Sequence, residues 1–264
     1  MESWKGFLRS GLQLRATDSN ASHNRIFRIP VFAKLNQITE LQGDELCDAW
    51  LQCIFCHYRL WKKGVRHRDV SCGNLMYYRC SNQVKSVLND FDLASMDGVE
   101  SRGHQRTGTP PFMATDLLIN SQTKHLYRHD LESFIWVWVW LTLQFKDGEL
   151  RSGQRPLDAW AQCSARQCAA EKKLFLSMVE TYADDQINEE HWKLVMELCC
   201  KLESPLNNIA GLRKQLHLAR QYHKQDEKKI KGQLAEAEDD GNFFRWFLEV
   251  LRFSDQPQFT PPSL

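Results

Sequence analysis

The 264-residue sequence predicts a mainly α-helical fold, α+β overall, with a small β-hairpin and a helical tail. Three observations carry that expectation. Apolar residues recur at three- and four-residue spacing in several long segments, which is the signature of helices with one buried face. One short pair of β-prone runs, flanking a polar turn, interrupts them. Toward the C-terminus a Lys-, Arg-, Gln- and Glu-rich run still keeps a helix-forming composition.

The elements follow in order. Residues 1 to 25 are polar and aperiodic, and Thr17-Asp18-Ser19-Asn20 reads as loop. From Arg25 the string RIFRIPVFAKL is β-prone, with Pro30 confined to an edge or a strand end. Between Asp44 and Lys62, positions 46, 50, 53, 54, 57, 60 and 61 trace one helical face, and Gly64 follows as a stop. Asn74 to Tyr78 and Val84 to Leu88, separated by Ser81-Asn82, form the hairpin. Residues 95 to 111 have no period and carry Gly, Ser, Thr, Pro and charge, so they form a long functional loop. DLESFIWVWVWLTLQF alternates like a strand, but its length and the leading Asp130 favour a capped, wholly buried helix. Helices are also expected over Pro156 to Met178, Asn188 to Leu202, Leu206 to Ala237 and Phe243 to Phe253, ahead of a Pro-rich end.

Composition excludes several functions. Lys plus Arg number 34 and Asp plus Glu 33, so no net field draws the chain to nucleic acid or to an anionic membrane. The longest apolar run, Phe134 to Leu141, is eight residues, far short of the roughly 18 that span a bilayer. The N-terminus lacks the apolar stretch of a secretory signal, so an intracellular location, cytoplasm or nucleus, is expected. Nine cysteines at irregular spacing would then stay reduced, mostly as buried thiols. Cys53-Ile54-Phe55-Cys56-His57 fits the haem-attachment pattern, yet its place on an amphipathic helix makes these core residues.

The strongest chemical signal is His67-Arg68-Asp69-Val70-Ser71-Cys72-Gly73-Asn74, set between the first helix and the hairpin. Phosphoryl transfer needs mainly positioning: a carboxylate near the acceptor hydroxyl and oxygen ligands for Mg²⁺. Asp69 and Asn74 supply such groups. Asp90-Phe91-Asp92 follows 21 residues after Asp69, behind apolar Val87-Leu88, as a metal-binding Asp after a strand does. Gly108-Thr109-Pro110-Pro111-Phe112-Met113-Ala114 closes the loop, and the buried helix opens with Asp130.

HRDVSCGN, LNDFDLA, GTPPFMATDLL and HDLESFIWVWVWL together resemble the catalytic lobe of the eukaryotic protein-kinase fold, and more closely the fungal-type protein kinase family, over about residues 35 to 180. The resemblance implies ATP and Mg²⁺ as cofactors and a protein substrate or binding partner. It implies that Asp69 orients the acceptor hydroxyl with support from Thr109, while Asn74 and Asp90 hold Mg²⁺ on the ATP phosphates. Arg68 would meet a charged activation segment, His67 would be a packed structural residue, and Asp130 would anchor the catalytic loop through its backbone. Asp92 stands where most kinases have Gly, which removes the free positive φ that Gly allows. Ser71 replaces a lysine common in Ser/Thr kinases. Ala114-Thr115-Asp116 replaces the usual APE, keeping a carboxylate one methylene shorter for its structural ion pair.

Absences matter too. The sequence has no GxGxxG, and Lys34 lies only 35 residues before Asp69, whereas the intervening kinase elements need on the order of 70. Lys34 is therefore not the lysine that grips the phosphates, and the smaller nucleotide-covering lobe is expected to be largely missing. The domain reading is 1–34 as a remnant of that lobe or an irregular leader, 35–202 as the catalytic lobe, and 203–264 as the helical tail. Two functions remain: a protein serine/threonine kinase, or an inactive kinase-like lobe that binds a protein. A metabolite-phosphorylating variant ranks lower, because GTxxxMA suits a protein substrate. Ser95, Ser101, Thr107 and Thr109 are hydroxyls that could take regulatory phosphate near Arg68. Trp136, Trp138 and Trp140 read as core rather than as a stacking surface. Arg213 to Lys231, with His223, Lys224 and Lys229, reads as a solvated face rather than a docking site.

Overall fold

A computed structural model describes residues 34–96, 108–120, 122–153, 155–222 and 226–253. The β-prone segment at 25–33, Ser101, Thr107, His223, Lys224 and the Pro-rich end lie outside the described residues. The chain divides between Lys34 and Leu35, and every described helix and strand belongs to the second unit.

Strand β1 (Asn36–Gln37) and a 3₁₀ turn lead into helix α1 (Gly43–Lys62). The helix buries Leu46, Cys47, Ala49, Trp50, Leu51, Cys53, Ile54, His57 and Trp61, as the 3.6-residue period requires. It ends at Lys63 and Gly64, the latter at φ +81°. Strand β2 (Val65–Arg66) comes directly after, and the Arg66 guanidinium lies 3.7 Å from the centre of the Trp61 ring.

Strands β3 (Leu75–Cys80) and β4 (Gln83–Leu88) pair from Leu75↔Leu88 to Cys80↔Gln83. Their two-residue turn, Ser81-Asn82, has φ of +47° and +66°, the geometry whose twist matches a hairpin. Strand β1 adds to β3, giving the order β1-β3-β4. The hairpin sits on α1, where the Gln52 amide donates to Val84 O and accepts from Ser86 N. Strand β5 (Ser95–Met96) pairs antiparallel with β2. These pairings bring the ends of residues 67–74 and 89–94 to one edge.

Helix α2 (Thr115–Ile119) precedes α3 (Tyr127–Gln144), which lies in the core of the second unit. Helix α3 opens at Tyr127, three residues before Asp130, because the His129 ring Nδ1 accepts from Leu126 N and so closes the first turn from within. Nearly every α3 side chain is buried. Trp136 and Trp138 are wholly inside and Trp140 is half-buried against Phe112, so the tryptophans are core. Strands β6 (Phe145–Lys146) and β7 (Glu149–Leu150) make a second hairpin through Asp147-Gly148, a turn the dipeptide itself announces.

Helices α4 (Asp158–Gln162) and α5 (Ala165–Ser177) replace the single helix expected there. Helix α6 (Glu189–Gln221) runs through Pro205, so the expected break near 203 falls inside one continuous helix. Burial of Leu198, Leu202, Ile209 and Leu212 on both sides of the proline offsets the hydrogen bond it cannot donate. Helix α7 (Glu227–Ala237) packs on the distal half of α6 through Leu212, Leu216, Ala219 and Ile230. Helix α8 (Asp240–Phe253) returns to the main core with Phe243, Phe244, Phe247, Val250 and Leu251. Its Phe244 ring stacks on Tyr58 at 3.8 Å, and Asp240 accepts from Trp61 Nε1 at 2.8 Å. No helix among the described residues is long and apolar enough to cross a membrane.

Candidate active site

The segment between β2 and β3 carries His67, Arg68, Asp69 and Asn74, and each is held by a different constraint. His67 is 1% exposed. Its Nε2–H donates to Asn89 O at 3.0 Å, while Nδ1 faces Asp69 N at 3.4 Å, and Phe91 meets the ring edge-on at 4.7 Å. Burial lowers the His67 pKa, so the ring is neutral and works as a tie between the two segments. Arg68 adopts φ +69°, and its Nε is buried with no hydrogen-bond partner among the described residues.

Asp69 is where the contacts converge. Its Oδ1 accepts from Thr109 N at 3.1 Å and from Thr109 Oγ1 at 3.0 Å. The Asn74 amide donates to Asp69 O at 2.9 Å and to Oδ2 at 3.3 Å. Thr109 reaches this position because Gly108 takes φ +127°, and a Cβ there would stand 2.9 Å from Met113 Cγ. Only glycine suits that approach.

Asn89 N donates to Asn74 O at 2.8 Å, so Asp90 lies one residue beyond a backbone partner of Asn74. Asp90, not Asp92, carries the left-handed backbone, at φ +59°. An aspartate tolerates that region when its side chain bonds locally, as Asp90 Oδ1 does by accepting from Asp92 N at 3.3 Å. The cost expected from Asp in place of Gly at 92 therefore does not arise. Non-glycine residues at positive φ concentrate where strain serves a site, and Arg68 and Asp90 flank this one.

With the Asn74 amide nitrogen turned to Asp69, no hydrogen bond among the described residues takes up Asn74 Oδ1 or Asp90 Oδ2. Two protein oxygens of this kind fit Mg²⁺, which is held by one or two side chains together with phosphates and water. Among the described residues no cluster of three His, Cys, Asp or Glu side chains is arranged around a metal position.

Asp130 departs from expectation. Its Oδ2 accepts from His57 Nε2 at 2.9 Å and its Oδ1 from His125 Nε2 at 2.6 Å. Both oxygens are thus engaged by imidazoles, and the route to the catalytic loop is indirect, through His57, whose ring centre lies 6.4 Å from that of His67. Burial would raise the Asp130 pKa, but His125 and His57 more than reverse this and hold it well below the usual carboxylate range.

Asp116 is paired with Arg213 Nη1 at 2.8 Å and with Arg128, and His129, whose pKa burial lowers to about 4, adds an uncharged N–H at 3.0 Å. Against the upward push of burial, His129 and Arg128 hold its carboxyl below the usual range. Arg213 also meets Glu238 at 2.6 Å, so this part of the charged run is engaged rather than solvated. Behind α2, Glu132 Oε1 accepts from Thr115 N and Oγ1 and from Trp136 Nε1, and Lys172 donates to Met113 O.

No motif marks His57, Glu132 or Lys172 in the sequence. The available signal was a polar residue on an otherwise buried stripe, as His57 is among Cys53, Ile54 and Trp61. A model of the family described as fungal protein kinase matches residues 7–142, just over half of the chain. The match starts upstream of the described unit and stops within α3, short of the residue 180 expected for the resemblance.

Proposed function

The chain belongs to the fungal protein kinase family, and from that premise we propose that Asp69, Thr109, Asn74 and Asp90 form a serine/threonine protein kinase site. The observation that carries the proposal is the fastening of Asp69: Thr109 grips Oδ1 twice, and Asn74 holds the backbone and touches Oδ2 only at 3.3 Å. Oδ2 is therefore the oxygen available to a substrate hydroxyl. When bound, Mg·ATP supplies the phosphoryl group and the cation that neutralises its charge. Asn74 Oδ1 and Asp90 Oδ2 would hold that cation, and Asp69 would orient a serine or threonine hydroxyl and take its proton. His67 keeps the 67–69 and 89–91 segments in register, and Gly108 lets Thr109 approach. A protein substrate is favoured by the GTxxxMA segment ending at Ala114.

The absence of GxGxxG from the sequence favours a second reading, an inactive lobe that binds a protein partner. Thermal unfolding of the full chain with millimolar Mg·ATP separates the two. Ligand at 100 times its dissociation constant stabilises by about 2.7 kcal/mol. The kinase reading expects an upward shift in Tm that needs Mg²⁺ and disappears in Asp90→Ala. An unchanged Tm leaves the binding-module reading.

A further inference from the structure

Helix α5 begins with a reciprocal cap: Ser164 Oγ accepts from Gln167 N at 3.3 Å, and Gln167 Oε1 accepts from Ser164 N at 3.0 Å. In this geometry the residue before the cap packs against the fourth residue of the helix, usually as an apolar staple. Here those two positions are Cys163 and Cys168. The Cys163 thiol is near enough to help raise the pKa of Cys168, and its own Sγ donates to Trp160 O at 3.9 Å. Cys168 Sγ also donates to Pro110 O at 3.5 Å, and one turn further along α5 Lys172 donates to Met113 O. The first turns of α5 thus clasp the 110–113 backbone, next to the residue that grips Asp69.

We propose that Cys163 and Cys168 are a modification site: a peroxide converts the pair to a reversible disulfide, which removes the Cys168 bond to Pro110 and loosens the segment carrying Thr109. Cys163 is half-exposed, whereas Cys168 is fully buried, so Cys163 meets the oxidant. Its sulfur attacks one peroxide oxygen, the O–O bond breaks, and sulfenic acid and one water form. The Cys168 sulfur then attacks the Cys163 sulfur, the S–O bond breaks, and hydroxide leaves with the Cys168 proton as a second water. Two thiols are oxidised and one peroxide is reduced. Burial pushes the Cys168 thiol up to about 11, so it reacts second, and its attack on the sulfenic sulfur quickens as pH rises toward that value. The inference stands on the α4–α5 geometry and does not require phosphoryl transfer.

The test treats the reduced full chain with hydrogen peroxide, blocks the remaining thiols, and digests with trypsin without reductant. Cleavage after Arg166 leaves the Cys163 and Cys168 peptides joined only through a disulfide. The expected product is that linked pair, two hydrogens lighter than the sum of the peptides, split by dithiothreitol and absent from Cys163→Ala and from Cys168→Ala. Native-state hydrogen exchange of the oxidised chain should show the Thr109 amide exchanging about fivefold faster, the factor one ordinary hydrogen bond is worth. Pairing of either cysteine elsewhere, or sulfinic acid at Cys163 without a bridge, overturns the site. A bridge with unchanged Thr109 exchange overturns its coupling to the loop.

Discussion

Replacing Lys172 by methionine isolates the effect of one buried ammonium. Lys172 is fully buried, donates to Met113 O, and sits 4.8 Å from the centre of the Trp136 ring and 5.5 Å from that of Trp160. Burial pushes its pKa from the ordinary 10.5 down to about 8. Below pH 8 the folded and unfolded chains both carry the proton, so this group adds no pH dependence. Between about pH 8 and 10.5 the unfolded chain holds a proton that the folded chain has released, and stability rises with pH. At about 1.4 kcal/mol per tenfold change in proton affinity, the rise totals about 3 kcal/mol. Lys172→Met should abolish it. At neutral pH the variant escapes that desolvation cost but loses a charged hydrogen bond of about 1.5–3 kcal/mol, so the two chains should lie close together there. Cys168, raised from 9.0 to about 11 in the folded chain, makes stability fall with pH above about 9, the opposite sign, and it does so in both chains, so the difference between them isolates Lys172. Urea unfolding from pH 7 to 10 measures the difference between wild type and variant. Parallel curves across that range would refute the assignment of a strained, buried ammonium at this position.

Asp130→Asn should lower unfolding stability by about 1.5–3 kcal/mol, because the amide cannot accept from both buried imidazole N–H groups as the carboxylate does. Since the folded pKa of Asp130 is depressed, its contribution is present above the ordinary value of 3.8 and is lost as pH falls below it, so the variant should show a shallower acid-unfolding slope than wild type. Gly108→Ala places a Cβ 2.9 Å from Met113 Cγ at φ +127°. A loss of about 1–3 kcal/mol in thermal unfolding is expected, together with faster amide exchange at Thr109. Asp240→Ala removes the acceptor for Trp61 Nε1 and Tyr127 N. A cost of about 1–3 kcal/mol in urea unfolding, in one transition with the rest of the unit, would mark α8 as part of the same cooperative unit as α1 and α3.

Periodicity reports which face of an element is buried, and where that was the question the sequence answered it. Helix α1 spans Gly43–Lys62 against an expected Asp44 to Lys62, and the β3–β4 hairpin turns at Ser81-Asn82 as expected. The order of Asp69, Asn74 and Asp90 was likewise readable, since local spacing between short elements limits where they can fall. What periodicity does not encode is the identity of a neighbour far along the chain. His57 and Asp130 are 73 residues apart, and Asp116 and Arg213 are 97 apart; nothing in either local sequence names its partner. Propensity failed at Pro205 for a related reason. A proline is a strong local stop, yet the apolar stripe on both sides of it finds burial worth more than one missing donor. The same logic explains α8, whose run of aromatic residues looked like a tail until Tyr58, Trp61 and Trp50 supplied the surface it covers. Candidate site residues could be found by motif; the residues that hold them in place required knowledge of which elements meet.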